Sequence, residues 1–347
     1  MRTSQLSTKA VSYMSNLLDH SSDFAFQGLT PDIVVNALES VGLYPASGLL
    51  ALNSYENRVY QFTDDDRKRY VAKFYRPSRW TTEQIQEELN FVEELAQAEV
   101  PAVSALELQG QRLHEFDGYR FCVYPSVGGR AFEPNDLDEL ERLGRQIGRM
   151  HAVAKAGRFE SRETITYDGF VAQSVVELKQ SELLPAELKN AFFAILDPLA
   201  ERLKSTPLNQ FEFQRLHGDC HIGNILQYDD KLTFVDFDDC RSGPAVQDLW
   251  MMLSGPKEEQ TLQLDALVCG YEDFCDFDTE QVVLIEPLRS FRIIQYMAWL
   301  SRRWQDSAFQ RAFPWFAESR YWEQQILALK EQLAGLDDAP LNLGFNG

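Results

Sequence analysis

Residues 216–226 have the sequence Leu-His-Gly-Asp-Cys-His-Ile-Gly-Asn-Ile-Leu, and residues 232–238 have the sequence Leu-Thr-Phe-Val-Asp-Phe-Asp. They place Asp219, Asn224 and Asp236 in short polar segments beside apolar runs that predict strands. In phosphoryl transfer, one carboxylate takes the proton of the attacking hydroxyl, while an amide and a second carboxylate hold Mg²⁺ on the nucleotide phosphates. The pattern therefore predicts Asp219 as a catalytic base. It also predicts Asn224 and Asp236 as Mg²⁺ ligands, with Asp236 directly involved in catalysis.

Two other interpretations of the first stretch are a plain acidic surface loop and a zinc site. Gly218 and Gly223 favour a tight loop between two apolar segments, which a plain surface loop does not need. His217 and His221 are four residues apart, so on a helix both imidazoles would share one face. Cys220 lies between the two histidines, but the two glycines disfavour that helix, and no fourth ligand stands out nearby in the sequence. We expect His217 to be buried and to brace the loop by hydrogen bonding.

The rest of the chain predicts an α+β protein with a small antiparallel sheet followed by a larger helical part. Thr30 and Pro31 open the first helix as cap and first helical residue. Strands are expected within 49–62, 70–75, 103–108 and 119–124, and helices over 81–98, 137–153, 188–203 and several segments of 248–333. Pro125 and the Gly128-Gly129 pair mark the predicted boundary between lobes. We expect a flexible extension over 1–23, an N-lobe over 24–126 and a C-lobe over 127–347.

Composition limits the classes of partner. The chain has 347 residues, 44% of them hydrophobic, and a formal net charge of -20 at pH 7. That charge argues against sequence-independent nucleic-acid binding and against docking on anionic lipid, although it suits a cationic substrate. No stretch approaches the roughly 18 apolar residues that span a bilayer. Five cysteines without a Cys-x-x-Cys pair indicate reduced thiols. We expect a cytoplasmic monomer.

The motif His-Gly-Asp-x-His-x-x-Asn with a downstream Val-Asp-Phe-Asp resembles the aminoglycoside phosphotransferase and choline kinase superfamily, which shares the protein-kinase fold. Four further segments resemble, more narrowly, a family of bacterial stress-response serine/threonine protein kinases: 52–60, 73–77, 125–130 and 243–250. The resemblance extends from about Phe24 to the C-terminus. It implies a bilobal protein-kinase-like fold with a small antiparallel-sheet N-lobe and a larger, mostly helical C-lobe.

The resemblance also implies roles for individual residues. Lys73 should contact the α- and β-phosphates of ATP and pair with a helix glutamate, Glu87 or Glu88, between which the sequence does not choose. Ser54 should lie in the loop over the phosphates, although no Gly-x-Gly-x-x-Gly is present. The implied activity is Mg²⁺-dependent transfer from ATP to protein Ser/Thr hydroxyls, with autophosphorylation. The alternatives are a small-molecule hydroxyl kinase and a nucleotide-binding pseudokinase.

Several features of the sequence depart from protein kinases or leave alternatives open. Asp238 stands where eukaryotic protein kinases have glycine, and only a short segment separates Asp236 from Asp248, which disfavours a long activation loop. Asp248, at a predicted helix start, is expected to brace the catalytic loop. Asp238 and Asp239 could widen the metal site or face solvent. The arginine-rich aromatic helix over 291–304 could line an acceptor groove, but its helical spacing favours packing against the larger lobe.

Overall fold

The computed structural model describes residues 26–344, so the predicted extension over residues 1–23 lies outside the described part. Within the described part, no helix is long and apolar enough to span a membrane. The secondary structure divides into an antiparallel sheet with two helices and a longer, mostly helical part. This arrangement confirms the predicted α+β class.

A five-stranded antiparallel sheet forms the first part. Its strands are β1 Leu50–Ala51, β2 Arg58–Thr63, β3 Arg69–Phe74, β4 His114–Phe116 and β5 Tyr119–Pro125, in the order β1-β2-β3-β5-β4. Lys73 on β3 is the register partner of Val59 on β2 and Cys122 on β5. Lys73 therefore lies in the middle of the sheet, on its most continuously paired strand.

The prediction of a strand over residues 103–108 is wrong. In the structure this segment is irregular, and Leu106 makes one backbone hydrogen bond to Val123 of β5. The edge of β5 is paired instead with β4 through a tight turn at Asp117-Gly118, where both residues have positive φ. An Asp-Gly pair is a strong hairpin signal, and it joins two strands more locally than the 103–108 segment could.

Two helices accompany the sheet. Helix α1, Pro31–Ser40, begins after Thr30, whose side chain accepts a hydrogen bond from the backbone N–H of Ile33. Helix α2, Thr82–Gln97, begins with a capping box between Thr81 and Gln84. The start after Thr30 was predicted from the sequence and is confirmed, and so is the helix predicted over 81–98.

The larger part is built from eight α-helices among the described residues. They are α3 Leu137–Ala154, α4 Gln173–Gln180, α5 Ala186–Leu203, α6 Gln247–Trp250, α7 Lys257–Tyr271, α8 Ile285–Arg303, α9 Ser307–Ala312 and α10 Ser319–Gly335. Helices α3 and α7 pack closely because Gly144 has no side chain. A Cβ atom there would lie 2.0 Å from the carbonyl oxygen of Leu267.

Five short strands hold the loops of the predicted site. They are β6 Arg130–Ala131, β7 Gln214–Leu216, β8 Ile225–Tyr228, β9 Lys231–Phe234 and β10 Arg241–Gly243. β8 pairs with β9, and β7 pairs with β10. The loop 217–224 follows β7 and the segment 235–240 follows β9, so these two pairings bring the loops together.

The boundary between lobes near residues 126 and 127 stays a proposal. Phe91 and Leu95 on α2 belong to the large buried cluster of the helical part, whereas Phe62 and Phe74 belong to the cluster beneath the sheet. Ile85 and Leu89 of the same helix lie in a third buried cluster with Cys122 of the sheet, so α2 contributes to the cores of both parts.

Candidate active site

A cleft of about 400 Å³ is lined by residues of the sheet, of helix α2 and of the two loops of the larger part. Its apolar lining includes Val59, Val71, Val103, Val127, Leu226 and Val235. Its polar lining includes Ser54, Lys73, Glu88, Asn224 and Asp236, five of the seven residues singled out in the sequence. The other two, Asp219 and Glu87, are not among the residues that line the cleft.

Lys73 is the centre of a buried charge cluster. Its Nζ lies 3.1 Å from Glu88 Oε1, 2.9 Å from Asp238 Oδ1 and 3.5 Å from Asp236 Oδ1. Burial lowers the pKa of Lys73, but the nearby Asp238 and Glu88 outweigh it and hold that pKa well above its ordinary value. The ammonium group therefore stays charged at neutral pH, as binding a phosphate requires.

The neighbouring glutamates of α2 have different partners. Glu88 is buried and also pairs with Arg162, whose Nη2 lies 2.7 Å from Glu88 Oε2. Glu87 accepts hydrogen bonds from the backbone N–H groups of Glu160, at 2.7 Å, and Arg162, at 2.8 Å. Successive helical residues point about 100° apart, so only one of the two faces the sheet. Lys73 pairs with Glu88, and Glu87 holds the loop over residues 160–162.

Asp219 lies between cationic and amide groups. Its Oδ1 contacts Arg292 Nη1, and its Oδ2 lies 3.4 Å from both His221 Nε2 and Asn224 Nδ2. Burial raises the pKa of Asp219, but the hydrogen bond from His221 and the charge of Arg292 lower it below its ordinary range. The carboxylate is therefore ionised at neutral pH and able to accept a proton.

Hydrogen bonds to the buried carboxylate of Asp248 fix the loop that carries Asp219. The Asp248 carboxylate accepts hydrogen bonds from the backbone N–H groups of His217 at 2.8 Å and Gly218 at 2.9 Å. His217 is fully buried, and its Nε2 lies 3.0 Å from the carbonyl oxygen of Val235. These contacts confirm the bracing expected of Asp248 and of His217.

The side-chain oxygens of Asn224 and Asp236 are suitable ligands for a hard divalent cation. Asp236 has φ 61°, an uncommon conformation for a non-glycine residue, and its side chain is 57% exposed. The amide of Asn224 is oriented by a hydrogen bond from Nδ2 to the Asp219 carbonyl oxygen at 3.0 Å. Among the described residues, no donor hydrogen-bonds to Asn224 Oδ1. A carboxylate and an amide oxygen lining one cleft are ligands that Mg²⁺ accepts.

The sequence left open whether Asp238 and Asp239 widen the metal site or face solvent. In the structure both carboxylates pair with arginines instead. Asp238 is buried, and its Oδ2 lies 2.7 Å from Arg79 Nη1. Asp239 Oδ1 lies 2.8 Å from Arg79 Nη2 and from Arg241 Nη2. Arg79 thus ties the segment after Asp236 to the sheet-bearing part.

The loop that carries Ser54 is held without glycines. Asn57 Oδ1 accepts the backbone N–H of Arg76 at 3.1 Å. Glu56 Oε1 lies 3.1 Å from Arg76 Nε and 2.7 Å from Arg303 Nη2 at the end of α8, and Trp299 Nε1 donates to Glu56 Oε2 at 2.6 Å. The loop is therefore anchored to the helical part of the molecule.

Residues 49–283 match the model of the phosphotransferase enzyme family. The chain belongs to this family. Stress response kinase A of Escherichia coli K12 is 46% identical over 324 residues, which cover 93% of the chain and 98% of that protein. A serine/threonine protein kinase, RdoA, of Salmonella typhimurium LT2 is 45% identical over 320 residues, which cover 92% and 97% of the two proteins.

Solved structures of phosphotransferases share the fold. Amicoumacin kinase in complex with AMP-PNP and Ca²⁺ has a TM-score of 0.69 at 17% identity and covers 91% of this chain and 95% of its own. Aminoglycoside 2'-phosphotransferase IIIa in a GDP complex has a TM-score of 0.61 at 14% identity and covers 89% and 100% of the two chains. The chain therefore has the fold of aminoglycoside-type phosphotransferases.

Four arginine and glutamate residues of this phosphotransferase site were missed or left open by the sequence analysis: Glu56, Arg79, Arg292 and Arg303. Arg292 contacts Asp219 across 73 residues of sequence, and Glu56 contacts Arg303 across 247. The arginines of the 291–304 helix were noted, but helical spacing favoured packing. No local pattern distinguishes an arginine that reaches a distant carboxylate from one that faces solvent.

Proposed function

We propose that this phosphotransferase transfers the γ-phosphate of ATP to Ser and Thr hydroxyls of proteins, in the manner of a stress-response kinase. The observation that carries the proposal is one cleft that combines the Lys73–Glu88 ion pair with Asn224 and Asp236, with Asp219 beside it. The choice of a protein acceptor rests on the relatives that are named stress response kinase and serine/threonine protein kinase at 45–46% identity.

In the proposed mechanism, transfer is direct, without a phosphoenzyme. Asp219 orients the acceptor hydroxyl and takes its proton as the oxygen attacks the γ-phosphorus, and the bond from the γ-phosphorus to the bridging oxygen breaks so that ADP leaves. Lys73 binds the phosphates from the sheet side, held by Glu88 and Asp238. Asn224 and Asp236 would hold Mg²⁺, which supplies charge neutralisation on the transferring phosphoryl group. The residues of this chain thus contribute mainly positioning and preorganised charge.

The apolar lining of the cleft supports a nucleotide base next to this phosphate site. Val59 and Val71 come from adjacent strands of the sheet, while Leu226 and Val235 come from the larger part. A flat heterocycle between two aliphatic walls buries apolar surface on both faces. Ser54 lines the same cleft, and we propose that it contacts the phosphates.

A small-molecule hydroxyl kinase is the second candidate function. Two observations favour it: the net charge of -20, which suits a cationic acceptor, and the fold shared with kinases named for amicoumacin and aminoglycosides. We further propose that the chain acts as a cytoplasmic monomer. Autophosphorylation of the Ser and Thr residues before Asp23 remains a proposal that concerns a segment outside the described residues.

The test combines protein acceptors with an inactivated base. Purified chain is incubated with Mg²⁺ and γ-labelled ATP, alone, with casein and with myelin basic protein, beside an Asp219→Ala variant. We expect label on protein that the variant loses by a factor of about 10³ or more while it still binds ATP. Label only on small alcohols or aminoglycosides would support the second candidate. Nucleotide binding without any transfer would indicate a pseudokinase.

A further inference from the structure

One face of helix α8 runs from the predicted base to the loop over residues 53–57. Arg292, Tyr296 and Trp299 are spaced at i, i+4 and i+7, which places them in one row along the helix. Arg292 contacts Asp219 at one end of the row, and Trp299 donates to Glu56 at the other. Tyr296 lies between them, 39% exposed, with its ring 5.6 Å from that of Trp299. We call this row the α8 face; its Arg292 end lies at the carboxylate that serves as the base in the proposed mechanism.

Arg292 has hydrogen-bonding capacity left for a ligand. Its side chain is 41% exposed, although its guanidinium contacts Asp219. Among residues 26–344, that contact from Nη1 is the one hydrogen bond that the guanidinium makes. A guanidinium has five N–H donors in a planar fork that matches a carboxylate. The remaining donors can bind an acidic group without releasing Asp219.

The carboxylates next to the α8 face are already neutralised. Glu56 pairs with Arg76 and Arg303, and Asp306 Oδ2 lies 3.1 Å from Arg76 Nη2 and 3.5 Å from Arg58 Nη2. A cationic acceptor would therefore find these two acids occupied by arginines. Arg292, in contrast, keeps guanidinium donors that can bind a ligand.

We propose that Arg292 is a specificity-determining residue that binds a carboxylate close to the acceptor hydroxyl, so that the enzyme prefers Ser or Thr in acidic sequence. This inference rests on the proposed protein-kinase function. Arg292 contacts Oδ1 of Asp219, whereas the contacts of Oδ2 within residues 26–344 are the longer ones of 3.4 Å to His221 and Asn224. In this arrangement, a carboxylate of the acceptor peptide binds the Arg292 guanidinium. The Ser or Thr hydroxyl next to that carboxylate gives its proton to Asp219 Oδ2.

The experiment compares three serine peptides of equal length with the full chain and Mg²⁺-ATP. The residues flanking the serine are glutamate in one peptide, glutamine in the second and lysine in the third. We expect kcat/KM for the acidic peptide to exceed that for the neutral one by about tenfold, the size of one charge-assisted hydrogen bond. Arg292→Gln should abolish this ratio, Arg292→Lys should keep most of it, and Arg292→Glu should reverse it in favour of the lysine peptide.

Arg302→Gln is the matched control, because Arg302 is on the same helix and its Nη2 lies 3.5 Å from Glu177 Oε2 on α4. This variant should keep the acidic preference. Equal kcat/KM for the three peptides with the unmodified chain, or an acidic preference that persists in Arg292→Gln, would overturn the inference and leave the kinase function standing. Phosphorylation of none of the peptides or protein acceptors would overturn the kinase function, and the inference with it.

Discussion

Glu56 provides the sharpest test of how the loop over residues 53–57 is held. Its carboxylate is nearly buried and pairs with Arg76 and Arg303. Burial raises the pKa of Glu56, but the charges of the arginines outweigh burial and lower this pKa from an ordinary 4.5 to about 2. Each unit of difference between the unfolded and folded pKa corresponds to about 1.4 kcal/mol. A difference of about 2.5 units therefore contributes about 3 kcal/mol to the free energy of unfolding. Because the side chain is only 10% exposed, solvent screening removes little of this value.

The perturbation is Glu56→Gln, which keeps the shape of the side chain and removes its charge. At neutral pH we expect the free energy of unfolding to fall by about 3 kcal/mol, measured by urea titration with tryptophan fluorescence. A carboxyl whose pKa is lowered in the folded state stabilises the protein above its unfolded pKa, and this stabilisation is lost as the pH falls. The difference between wild type and variant should therefore shrink between about pH 4.5 and 2, to about 1.4 kcal/mol near pH 3.

A matched control is Glu201→Gln, on an exposed carboxylate that pairs only with Lys204 among the described residues. It should change the unfolding free energy little at any pH, because exposed ion pairs contribute little. The reasoning would be refuted by a Glu56→Gln effect of the same size near pH 3 and at neutral pH. Such a result would mean that Glu56 acts through shape and neutral hydrogen bonds rather than through charge.

Two further predictions concern residues that support the site. Glu88→Gln should raise the KM for ATP by about tenfold, because Lys73 loses one of its two closest carboxylates, whereas Glu87→Gln should leave that KM unchanged. Equal effects of the two substitutions on steady-state kinetics would contradict the assignment of the ion pair. The Asp248 carboxylate accepts from two backbone N–H groups, and its Oδ2 also lies 3.0 Å from His151 Nε2. Asp248→Asn should cost about 2–4 kcal/mol of unfolding free energy and lower kcat, because an amide cannot accept from all three groups as a carboxylate does. An unchanged melting temperature and kcat would show that the catalytic loop does not depend on this brace.

Much of the local structure was predictable because its causes are local. The Thr30 and Thr81 caps, the hairpin between β2 and β3 and the helix of residues 137–154 each depend on residues a few positions apart. The same holds for the choice of Asp219, Asn224 and Asp236 as candidates, because their order and spacing within one loop and the next strand are visible in the sequence. The strand expected over 103–108 failed because β4 pairs with β5 over residues 119–121, whereas the 103–108 segment makes one backbone hydrogen bond to β5, from Leu106 to Val123. Only the three-dimensional structure shows which segment forms a paired strand.

The sequence by itself thus determined the fold class, most of the helices and strands, and the residues to consider as base, metal ligands and phosphate contact. The tertiary structure alone decided that Glu88 rather than Glu87 faces Lys73, and that Arg292 contacts Asp219. It also decided that Glu56 joins the loop over residues 53–57 to α8. The physical reason is that the rotation of a helix against a sheet, and the reach of a long side chain across a cleft, depend on packing between segments far apart in sequence. Periodicity and spacing describe one segment at a time and do not contain that information.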